Sequence, residues 1–197
     1  MKRTLHALGS VVGRMAALAA LAAFAAFAAF AAPAALSAQV TTTEKPVTFG
    51  ISGGVSLPTG DYTAGLQTGY ALAGHLYITP ATFASLRFRG DVTFDNWNFE
   101  GPNNGSFRSL GVVGNVLYDF PAAGTSATRP YLLAGLGGFD SKESVGGQST
   151  THLGFQIGGG LAFQLSGFTT FAEAKFVNVF TDGASLRYLP LTFGVRF

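Results

Sequence analysis

From Val47 to the end of the chain, apolar residues recur at every second position. Val47, Phe49, Ile51, Gly53, Val55 and Leu57 alternate with Thr48, Gly50, Ser52, Gly54 and Ser56. A period of two puts one set on each face of a β-strand. Pro58-Thr59-Gly60-Asp61 then supplies turn residues. The pattern returns with Tyr70, Leu72, Gly74, Leu76 and Ile78 against Ala71, Ala73, His75, Tyr77 and Thr79. It returns again with Leu86, Phe88, Gly90, Val92 and Phe94 against Ser85, Arg87, Arg89, Asp91 and Thr93. Five more strands are predicted over Phe107–Phe120, Tyr131–Asp140, Thr151–Leu165, Thr169–Phe180 and Tyr188–Phe197. Val113 and Leu117 make the second face of the fourth strand apolar too. In the seventh, Phe171 shares parity with Glu173 and Lys175, which suggests a bulge. No helical period appears after residue 40, and no internal linker marks a second domain.

The start of the chain reads differently. Lys2, Arg3 and Arg14 precede an uncharged Ala, Leu and Phe run from Met15 to Ala32, which Pro33 ends. Leu36-Ser37-Ala38 offers small residues before a cut ahead of Gln39. Residues 1–38 therefore read as a helical secretory signal and 39–197 as one β domain. A transmembrane anchor is the competing reading, but most of the run is weakly hydrophobic Ala. Removing the leader leaves nine basic residues against ten acidic ones, so the basic balance of the whole chain is no argument for nucleic-acid binding. With no Cys, disulfides, thiolate metal sites and Cys nucleophiles are excluded.

Alternation alone does not say which face is outside. A soluble β-barrel holding a small apolar ligand would turn the apolar face inward, whereas a membrane barrel turns it toward lipid. Four features favour lipid. Only 11% of the chain is charged. Aromatics gather near strand ends: Phe49, Phe83, Tyr118, Phe120, Tyr131, Phe168 and Phe197 at one rim, and Tyr70, Phe94, Trp97, Phe107, Phe139, Phe180 and Tyr188 at the other. The non-apolar face is rich in Gly and small residues, which a narrow lumen requires. The chain also ends on Phe197, preceded at alternate positions by Leu189, Leu191, Phe193 and Val195.

That ending resembles the assembly signal of bacterial outer-membrane β-barrels. Together with the leader and the eight strands, the mature chain resembles the small barrels of the OmpA/OmpX type. Ser56-Leu57-Pro58-Thr59-Gly60-Asp61 followed by Gly69-Tyr70 resembles the start of outer-membrane β-barrel domains. The resemblance implies an all-β, eight-stranded antiparallel up-and-down transmembrane barrel in the outer membrane. It implies outer-membrane lipid and the barrel-assembly machinery as partners, the latter through the C-terminal strand. It also implies a monomer with no cofactor and no nucleic-acid partner; an extracellular partner is not identified. Pro190 departs from a fully paired last strand. With both termini periplasmic, the outer loops are expected at Thr59–Gln67, Asp95–Ser106, Ser141–Thr150 and Thr181–Arg187, carrying Trp97, Asn103, Asn104, Lys142 and Glu143.

Arg87, Arg89, Asp91, Glu173, Lys175 and Arg196 are the candidate lumen charges, because Arg or Lys facing lipid at the midplane costs roughly 2–4 kcal/mol. They read as mutually satisfied ion pairs filling a closed barrel, or alternatively as the lining of a narrow channel for ions or small solutes. His75 and His152 both point inward on this register, a weak basis for a metal site. No Gly-x-Ser-x-Gly elbow occurs, and neither His is followed two residues on by Ser, so no nucleophilic triad is legible. The leading expectation is a non-enzymatic barrel that serves envelope structure or surface interaction through its loops.

Overall fold

The computed structural model describes residues 46–60, 65–83, 85–100, 105–121, 128–144, 149–165, 167–181 and 183–197. The expected leader lies outside the described residues. Eight strands follow one another: β1 (Val47–Thr59), β2 (Gly69–Ile78), β3 (Leu86–Asn98), β4 (Ser106–Asp119), β5 (Thr128–Glu143), β6 (Thr150–Leu165), β7 (Phe168–Thr181) and β8 (Ala184–Arg196). Each pairs antiparallel with the next, and β1 closes the barrel on β8. Closure leaves no strand edge and satisfies the backbone within the sheet.

Every ladder keeps a single register. β7 runs against β8 from Thr169↔Arg196 to Thr181↔Ala184 without a bulge, so the bulge suggested by Phe171 is absent. Phe171 simply points inward with Glu173, edge-on to the His75 ring. Pairing lapses only between Ala174↔Leu191 and Val177↔Tyr188, opposite Pro190, which has no N–H to donate. Gly167 and Gly183 hold left-handed φ values of 94° and 86° in the tight β6–β7 and β7–β8 connections.

The outward face is apolar. Leu136 is 73% exposed, Ile51 60% and Phe193 58%, while Ser52, His75, Asp91 and Gln156 are buried inside. This facing inverts that of a soluble barrel with an apolar interior.

Two expectations about the end away from the termini need correction. The strands run further than the alternation suggested: β3 reaches Asn98, β5 reaches Glu143 and β8 starts at Ala184. Three of the four connections there shorten, to residues 99–105, 144–149 and 182–183, while the first, residues 60–68, keeps its expected length. Trp97, Lys142 and Glu143 lie in strands, while Asn103 and Asn104 fall outside the described residues. The aromatic rim also differs. Phe49, Tyr118, Phe168 and Phe197 face outward at the terminal end, as do Tyr70 and Phe180 at the other. Trp97, Phe107, Phe139, Tyr188 and, at the terminal end, Tyr131 face inward. Their parity required it: each shares a strand face with the polar inner residues.

Candidate functional site

The candidate site is the interior of the barrel, and it is stratified. Arg87, from β3, lies near the terminal end. Its guanidinium grips the Asp119 carboxylate with two parallel hydrogen bonds, Nε to Oδ2 and Nη2 to Oδ1. The guanidinium also lies 5.6 Å from the Tyr77 ring centre and 5.9 Å from that of Tyr131. Arg196 covers Tyr77 at 5.4 Å and donates to Thr169 Oγ1 at 3.4 Å. A buried apolar cluster of Tyr77, Leu117, Tyr131, Leu133, Ala162 and Phe171 surrounds this level.

The next level is ionic. Arg89 Nη1 donates to Glu173 Oε2 at 2.6 Å, and Nη2 donates to Glu173 Oε1 at 3.0 Å and to Asp91 Oδ2 at 2.9 Å. Lys175 Nζ lies 3.5 Å from Glu173 Oε1. Tyr131 Oη donates to Glu173 Oε2 at 2.8 Å. The Asn115 and Gln156 amides donate to Asp91 Oδ2 at 3.0 and 3.2 Å. The two carboxylates and the guanidinium are fully buried, a state tolerable only with this degree of pairing.

Asp91 also accepts from His75 Nδ1 at 2.7 Å, which leaves Nε2 to accept the Ser52 hydroxyl at 2.9 Å. Ser52, His75 and Asp91 thus form the hydrogen-bond chain of a nucleophilic triad. β1, β2 and β3 bring it together through the pairs Gly50↔His75 and His75↔Asp91. Its surroundings tie it into the ionic cluster. Asp91 is already committed to Arg89, Asn115 and Gln156. All three residues are buried within the closed barrel.

Above the ionic level is a cavity of about 10 Å³, room for roughly one water, lined in part by Asp95, Gln156, Lys175, Tyr188 and Thr192. Asp95 Oδ1 and Thr192 Oγ1 are buried there without a protein partner. Beyond it the interior becomes apolar. Trp97, Phe107, Val113, Phe139, Val177, Val179, Leu186 and Tyr188 form a buried plug. Trp97 packs edge-on to Tyr188 at 4.9 Å and donates its indole N–H to the Ser56 carbonyl at 3.1 Å. Gly111 and Gly154 flank the Phe139 ring so closely that a Cβ on either would sit 2.8 Å from it. Leu66 and Phe99 form an antiparallel bridge beyond β2 and β3 and pack on this plug.

Of the six charges singled out in sequence, the structure joins Arg89, Asp91, Glu173 and Lys175 in one cluster. Arg87 and Arg196 lie in the level below. Sequence reasoning missed Asp119, Tyr131, Asn115 and Gln156 as their partners, and Ser52 as the partner of His75. The inward parity of each was readable, but which strand faces which across the lumen was not. His152 pairs with Phe139 in the plug and His75 with Asp91, so the two histidines do not meet. Among the described residues no cluster of His, Asp or Glu suits a metal ion. Leu191, Phe193 and Phe197 of the C-terminal pattern are exposed on the outward face, with Leu189 and Val195 half-buried beside them. Phe197 exchanges backbone hydrogen bonds with Phe49.

The family model for the outer membrane protein beta-barrel domain matches residues 16–197. The chain belongs to this family. It is an integral protein of the outer membrane. Neisserial surface protein A has the same fold, with a TM-score of 0.62 at 17% identity over 77% of this chain and 96% of that one. Ail, the attachment invasion locus protein of Yersinia pestis, superposes with a TM-score of 0.50 at 18% identity over 77% of this chain and 97% of that one. No curated protein matches the sequence. In such barrels the termini lie on the periplasmic side, so the ionic level is the periplasmic half of the lumen and the aromatic plug the outer half.

Proposed function

We propose that this outer-membrane barrel is a non-conducting, non-enzymatic structural element of the envelope. The observation that supports this most is double closure of the lumen. The Arg89–Asp91–Glu173 cluster fills its periplasmic half and the Trp97–Phe139–Tyr188 plug its outer half. Eight strands leave an interior just wide enough for side chains to fill. Two of the four outer connections, residues 144–149 and 182–183, are short, which favours an envelope-structural role over surface interaction through loops. Phe197 and the outward row Leu189, Leu191, Phe193 and Val195 serve as the handle for the assembly machinery. The work of the molecule is then mechanical: a closed sheet satisfying its backbone in lipid, stiffened from within by paired charges. Vesicles reconstituted with the protein should retain a small dye as well as empty vesicles do. Dye release proportional to protein content would favour the channel reading and defeat this one.

A further inference from the structure

Charges on the outside of a membrane barrel are costly unless they lie at an interface, and the outer half of this barrel carries an unusual pair. Arg108 on β4 and Lys142 on β5 are directly opposed across the ladder. Both alternate in step with the lipid-facing residues of their strands, Leu110 and Val116 on β4 and Leu132 and Leu136 on β5. Like charges placed directly opposite destabilise a sheet. Neither cation makes a hydrogen bond or ion pair with any described residue. The acidic groups nearby are otherwise disposed. Asp140, the next outward residue on β5, accepts from the Ser149 and Thr151 hydroxyls. Glu143 has the opposite parity to Lys142 and pairs with the inward Phe107.

Depth says what these cations meet. Tyr118, exposed on the same face of β4, marks the periplasmic interface. From Tyr118 to Arg108 the strand climbs roughly 25 Å, at about 3.3 Å per residue and a tilt of about 40°. That is about the height of the apolar band of an outer-membrane barrel. Arg108 and Lys142 therefore emerge at the outer headgroup level. Asn96, opposite Arg108 on β3, extends the polar row with an amide.

We propose that Asn96, Arg108 and Lys142 form a binding site for the phosphate group of an anionic lipid headgroup in the outer leaflet. A guanidinium offers a planar fork to phosphate, and an ammonium beside it adds a second charge. The bound anion removes the repulsion that the pair otherwise carries. The site would fasten the barrel to its leaflet at a fixed height on the β4–β5 side. Arg187, the outward cation on β8, is different, because its Nε already donates to Asn178 Oδ1 at 3.1 Å.

The test refolds the mature chain and the double variant Arg108→Gln/Lys142→Gln into zwitterionic phosphatidylcholine vesicles, with and without phosphatidic acid. Urea unfolding is followed by gel mobility, and lipid retention by native mass spectrometry. The expected result is a higher unfolding midpoint for the native protein when phosphatidic acid is present. In the double variant that rise should vanish and retention of the anionic lipid fall about tenfold. In pure phosphatidylcholine the variant should unfold at the same urea concentration or a higher one, since it has lost a like-charge contact; this shows that it folds. An equal response of both proteins to phosphatidic acid would overturn the proposal. A midpoint rise with inorganic phosphate alone, in zwitterionic vesicles, would overturn its lipid source.

Discussion

The two halves of the lumen solve one packing problem with different chemistry. In the periplasmic half, four charged side chains from β3 and β7 reach across the barrel and neutralise one another. In the outer half, rings from β3, β4, β5 and β8 meet around Trp97, and the polar atoms left over are chiefly hydroxyls such as Ser141 Oγ. Either would close a tube of this width. The ionic half specifies which strands face each other, because Arg89 bonds two carboxylates at once only where Glu173 and Asp91 converge. The apolar half fills volume at the outer end, where Leu66 with Phe99 caps the plug.

Removing one member of the ionic half should cause the largest loss. Arg89→Met leaves Asp91 and Glu173 buried without their guanidinium and should cost about 3–5 kcal/mol. Urea unfolding in lipid vesicles measures it. Replacing Glu173 by Met in the same chain should restore part of the loss, and strict additivity of the two substitutions would show that the residues act separately. Trp97→Ala in the outer half should cost about 3 kcal/mol, from lost burial and the lost indole hydrogen bond to the Ser56 carbonyl. Its barrel should remain closed to ions because the ionic level is intact; a conducting Trp97→Ala barrel would show that the plug alone seals the lumen. Gly111→Ala is a finer probe of how tightly the plug is packed. The added methyl would sit 2.5 Å from Thr93 Oγ1 and 2.8 Å from the Phe139 ring, and should destabilise by about 1–3 kcal/mol. The smallest effect is expected for Ser52→Ala, which deprives His75 Nε2 of its donor and should cost about 1 kcal/mol. Phospholipid turnover by the native protein that Ser52→Ala abolished would turn this chain from a structural network into a catalytic one.

Much of the barrel was legible in sequence because a two-residue period fixes the facing of every strand. The inward parity of Arg87, Arg89 and Asp91 is visible beside Leu86, Phe88 and Gly90. The same rule, applied strictly, would have turned Trp97 inward as well, since it shares parity with Asp91. The aromatic-rim expectation overrode that parity. Strand ends were the less legible feature. β3 continues through Asp95, Asn96 and Asn98, residues that resemble a loop in composition, because the backbone ladder with β4 runs on past the apolar band. Partners across the lumen were not legible at all. Ser52, His75 and Asp91 meet through register, and Arg89 meets Glu173 because the sheet curls through a full circle. Neither relation leaves a spacing in one dimension.

The central claim is that the lumen is sealed twice, and planar-bilayer recording tests it most directly. The refolded native barrel should show no steady conductance, and neither Arg89→Met nor Trp97→Ala alone should open it, while the two together should. A steady ohmic current through the native protein would contradict the account.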